Sequence, residues 1–138
     1  MTRRRVVAIL VVVIVLDVVY WVAWYADRSL VASNTRPAYY EFENAFPLAD
    51  GWLAICCLGA LLALRARSAT ALLWLLMAAG AAVYLFGMDV LYDLEHGIYA
   101  TGAGGIIELG INLLTLGLSV WFLRWAWTRR TVILSWPG

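Results

Sequence analysis

The sequence contains no lysine, a single histidine, His96, and only two cysteines, Cys56 and Cys57, which stand side by side. Each shortage argues against a class of function. With one histidine there is neither an H-E-x-x-H motif nor a paired-histidine spacing, so no metal site is predicted, and no cofactor. Neighbouring residues on a helix point about 100° apart, which works against a strain-free disulfide between the two cysteines. Without a C-x-x-C pair a thiol oxidoreductase is not indicated, and both cysteines read as small buried hydrophobes. Charge is scarce as well: 14% of the residues are charged, against roughly a quarter in a soluble domain. The formal net charge of +1, with no basic patch interleaved with aromatics, leaves no signal for nucleic acid. Asn34-Thr35-Arg36 lacks the third-position hydroxyl of a glycosylation acceptor.

What is abundant is apolar sequence, 64% of the chain. It falls into four runs, about 6–26, 47–64, 69–93 and 106–127. Each is roughly twenty residues long, enough at ~1.5 Å per residue to cross a hydrocarbon core of ~30 Å. The predicted fold class is therefore an all-α membrane protein, a single four-transmembrane-helix bundle over 1–138 with an outer loop at 27–46. The first run follows Arg3, Arg4 and Arg5 but is too long for a signal-peptide core, and Trp24 and Tyr25 spoil a small-x-small cleavage site. It reads as a retained helix. No internal repeat relates the first two runs to the last two, which argues against an inverted-repeat transporter.

All ten basic residues are arginine, and their positions orient the bundle. Arg3, Arg4, Arg5, Arg65, Arg67, Arg124, Arg129 and Arg130 fall at one set of helix ends, and only Arg28 and Arg36 fall at the other. The positive-inside rule predicts both termini cytoplasmic in a plasma membrane. Trp121, Phe122, Trp125 and Trp127 at one end, and Tyr20, Trp21, Trp24 and Tyr25 at the other, read as interfacial belts.

The nine acids avoid the arginine-rich end altogether. Asp27, Glu41 and Glu43 lie in the outer loop, Asp50 in the first turn of the second run, and Asp89, Asp93 and Glu95 near the end of the third. Glu108 is about a turn into the fourth run, and Asp17 lies deepest, roughly ten residues or ~15 Å from the end of the first. Periodicity brings them together: Asp89, Asp93 and His96 are spaced i, i+4, i+7, and Gly105, Glu108, Asn112, Thr115 and Ser119 form a polar stripe on a leucine-rich helix. A carboxylate near the middle of a span costs on the order of 2.5–3.5 kcal/mol, so Asp17 is the most costly and the set reads as functional. Arg28, Arg36 and His96 are the cations on the same side.

Three readings follow. The first is an outward-facing acidic and aromatic pocket, lined by Asp17, Trp24, Glu43, Asp50, Asp89, Asp93, His96, Glu108 and Asn112, with Glu43 carried on a "YYEFENAF" lid. It would bind a small cationic or amphipathic ligand for transport or sensing. The second is a membrane-embedded acid/base enzyme acting on a lipid-like substrate, with His96, Asp93 and Glu108 as catalytic candidates. The third is an accessory or scaffold subunit whose acids meet a partner membrane protein. Small residues such as Ala78, Gly80, Ala81, Ala82, Gly110 and Gly117 predict close helix contacts, within the chain or in a homo-oligomer.

Overall fold

The computed structural model describes residues 2–137. It contains α1 (Arg3–Asp27), α2 (Pro37–Glu43), α3 (Pro47–Ala66), α4 (Ala71–His96), α5 (Ala103–Thr128) and α6 (Arg130–Leu134). Short 3-10 turns at Arg28–Leu30 and Ile98–Ala100 follow α1 and α4. Among the described residues, four helical stretches are long and apolar enough to cross a membrane, the mark of a multi-pass protein in contact with lipid. Valine-rich α1 is helical despite its β-branched residues, because a spanning segment must satisfy its backbone groups internally.

The helices run past the predicted bounds, and their ends have local causes. Pro47 opens α3 at a position where its missing N–H is not needed. The predicted stop at Gly97 is present: the residue adopts φ 65° and donates its N–H to the Asp93 carbonyl, closing α4. Arg67 closes α3 in the same left-handed conformation, φ 56°, at a cost of roughly 1–2 kcal/mol for a residue with a Cβ. Its N–H and that of Ser68 satisfy the last carbonyls, Ala63 and Leu64.

α1 packs on α3, α3 on α4, and α4 on α5, so the four long helices follow chain order. The end carrying the loop 28–46 and the α4–α5 turn is called the acidic end below, and the opposite one the basic end. A tight apolar core fills the basic end: Val6 and Leu10 of α1, Cys56, Cys57, Ala60 and Leu64 of α3, Leu75, Ala78 and Ala79 of α4, and Phe122 and Trp125 of α5. Both cysteines are free and buried. Gly59 lets the Trp74 indole lie directly on α3, where any Cβ would collide with it.

One expectation about surfaces is corrected and another is narrowed. Phe122 and Trp125 are core residues and Trp127 remains exposed, so only part of the predicted belt faces outward. A bulky ring near a helix end satisfies either role, and α6 folding back to bury Ile133 decides it. Ala78 does pack inside, but a side chain at Gly80, Gly110 or Gly117 would meet nothing, so these glycines make no close contact within the chain.

Candidate functional site

α2 lies across the acidic end as the predicted lid, and its last residue carries the key group. Glu43 is only 7% exposed, and the Tyr20 hydroxyl of α1 donates to its Oε2 at 3.0 Å. Glu43 comes within electrostatic reach of Glu108 and Asp50, with Tyr39 beside it. Asp89 of α4 lies within electrostatic reach of four other carboxylates, Glu43, Glu108, Asp93 and Asp50. Asp17 stands next in line beyond Asp50. The carboxylates of α1, α2, α3, α4 and α5 thus form one connected set.

Most of them are held by neutral donors. The Trp21 indole N–H donates to Asp50 Oδ2 at 3.1 Å, and the Ser33 hydroxyl donates to Glu108 Oε2 at 2.5 Å. Asn112 donates through Nδ2 to Asp93 Oδ2 and to the Tyr99 hydroxyl, both at 2.9 Å. Asp93 and Asn112 are each 2% exposed. Among the described residues one fully buried side-chain atom is left over: Asn112 Oδ1 has no hydrogen-bond partner. Gly105 allows this close fit, because a Cβ there would strike the backbone of Ile98 and Tyr99.

Among the described residues no arginine at this end pairs with an acid. Arg28 places its guanidinium over the rings of Trp24 and Tyr40, at 5.7 and 5.1 Å, and Arg36 donates to the His96 carbonyl at 3.3 Å. Both arginines of this side therefore lie on the rim.

An aromatic roof covers the set. Trp24 is 1% exposed and donates to Asn44 Oδ1 at 3.0 Å, with Tyr39 and Tyr40 against it. Phe42 of the lid stacks on Tyr92 of α4 at 3.8 Å, and Tyr92 stacks on His96 at 4.0 Å. His96 is exposed and its Nδ1 pairs with the Tyr92 carbonyl, so it joins the roof. The structure does not bring His96 into contact with Asp93 or Glu108; it is the last residue of α4, where the shared face has already passed out of the bundle.

Asp17 differs from the others. It is half-buried and opens on a groove of about 670 Å³ between α1 and α3, lined by Val18, Trp21, Val22, Gly51 and Ala54. No hydrogen bond to it is formed by any described residue. Among the described residues, no group of three or more His, Cys, Asp or Glu has the arrangement of a metal centre.

Sequence reasoning found the acids and missed their donors. Ser33 and Tyr99 carry no local signal, and neither does Asn44, which accepts from Trp24 in the roof; each becomes relevant only when the loop or the α4–α5 turn folds against a helix. The fold and site define a class, a four-span helical membrane protein with a roofed carboxylate cluster at one end. Compared with known protein families, with curated proteins and with solved structures, the chain matches none.

Proposed function

We propose that this chain is a plasma-membrane protein with both termini in the cytoplasm, which binds a small cationic ligand beneath the α2 lid at its outward end, for transport or sensing. The observation that carries this reading is the imbalance of charge around Asp89. Glu43, Asp50, Asp93 and Glu108 all lie within electrostatic reach of it, and both nearby arginines are turned to other partners. Burying unpaired charge is costly, so the cluster is complete only when a cation or protons enter it. The roof of Tyr39, Phe42 and Tyr92 suits the apolar part of such a ligand, and its rings favour a positive charge near their faces. The lid connects through Asn44–Phe46 to α3, which gives it a short hinge.

The test is thermal stability of the purified protein with a panel of organic and divalent cations, for wild type and for Glu108→Gln. A ligand that binds only the folded state raises Tm by mass action. A rise with one class of cation, lost in Glu108→Gln, is the expected result. No rise with any cation, together with a higher Tm for Glu108→Gln, would sink the reading.

A second reading, an accessory subunit, is favoured by Asp17 alone, whose unpartnered carboxylate faces the α1–α3 groove. It predicts a stoichiometric partner in mild detergent. The acid/base enzyme reading is less well supported, since His96 belongs to the exposed roof and Asp93 to the buried network.

A further inference from the structure

We infer that the ligand is a protonated amine carrying at least one N–H, which donates to Asn112 Oδ1 while its charge is met by Asp89 and Glu108. This rests on the cation-binding reading above and narrows it from any cation to one that carries hydrogen-bond donors.

The argument starts from the amide. Asn112 uses Nδ2 twice, on Asp93 and on Tyr99, and leaves Oδ1 without a donor in a fully buried position. Turning the amide over would not repair this. It would set Oδ1 against the Asp93 carboxylate and strand two N–H groups instead of one oxygen, which is worse on a count of unmet groups. The orientation is therefore fixed by Asp93, and the planar amide directs Oδ1 away from that pair. A buried acceptor without a partner is among the most costly features a folded chain retains.

The carboxylates around that oxygen favour a donor that brings positive charge with it. Asp93, bonded to Asn112, lies within electrostatic reach of both Asp89 and Glu108, and Glu108 is one turn away on the same face of α5. A metal ion finds no three-residue ligand set among the described residues. A quaternary ammonium brings charge and no N–H. Water brings the donor and no charge. A protonated amine with at least one N–H satisfies the amide oxygen and the carboxylates together. A site built around such a donor rejects the analogue that lacks it, because its own polar group is then left buried and unpaired.

The experiment uses the full-length protein in nanodiscs and four probes of one positive charge: benzylammonium, N-methylbenzylammonium, N,N-dimethylbenzylammonium and benzyltrimethylammonium. Affinity is read by calorimetry and by the shift in Tm. The expected result is an affinity that falls as N–H groups are removed, with the quaternary compound at least about tenfold weaker than the primary one. Asn112→Leu should weaken the primary amine and leave the quaternary compound unchanged. The wild-type series stands alone if that variant does not fold. A quaternary compound that binds as tightly as the primary one overturns the inference while leaving the cation-binding reading intact. Failure of all four probes to bind overturns both.

Discussion

The two ends of this bundle are held together in different ways. At the basic end Val6, Leu10, Cys56, Ala60, Leu64, Leu75 and Ala126 are all fully buried, and the contacts are non-directional. At the acidic end only Trp24, Tyr39 and Ile98 make up the buried apolar cluster, and the rest is a network of oriented bonds to Glu43, Asp50, Asp93 and Glu108. Packing tolerates any residue of the right volume, whereas a buried polar network demands a partner for every atom. The basic end supplies rigidity, and the acidic end contains Asn112 Oδ1, a buried atom with no hydrogen-bond partner among the described residues.

The comparison is broken most directly by volume. Leu64 is fully buried, and Leu64→Ala leaves a cavity in the apolar core. The expected loss is about 2–5 kcal/mol, with cation binding unchanged in the fraction that remains folded. Detergent titration of helicity measures the first quantity and calorimetry the second. A variant that keeps its stability but loses binding would show that the ends are not separable in this way.

A smaller effect tests the network. Tyr20→Phe removes the hydroxyl that donates to Glu43 and keeps the ring against Trp21 and Trp24. Because the acceptor is a carboxylate, the expected loss is about 1.5–3 kcal/mol, and the lid should open more often. Hydrogen exchange over residues 37–46 reads the second effect. Unaltered protection there would mean that Glu43 is not what holds α2 down.

The same contrast explains what was legible in the sequence. The four long helices were readable because an apolar run in a bilayer has little choice but to be helical, and their ends were missed by a few residues because ends depend on caps such as Arg67 and on turns such as Gly102. The acids were readable because charge in such a run is conspicuous, and their convergence followed from helical spacing. The roof over them was only partly so: the lid was foreseen, but a seven-residue helix at Pro37–Glu43 has too few turns to show a period. Trp24, read first as a belt residue and as a ligand contact, turns its N–H inward to Asn44, a partner brought near by the loop alone. His96 shared a helical face with Asp93 on paper, yet one residue before Gly97 that face has left the bundle and meets Tyr92 instead.

The smallest expected effect concerns Arg28, whose guanidinium lies on the aromatic roof, over Trp24 and Tyr40. It is exposed, so its contact with the rings is worth about 0.5–1 kcal/mol, and Arg28→Gln should lower stability by no more than that. Its effect on binding should run the other way. Removing a positive charge from the rim lowers the repulsion an incoming cation meets and frees a ring face, so benzylammonium affinity should rise a few-fold, more at low salt than at high. A structural role alone predicts loss of both stability and affinity. Opposite signs for the two, in one substitution, are what an end built to receive a cation requires and what a merely packed end cannot give.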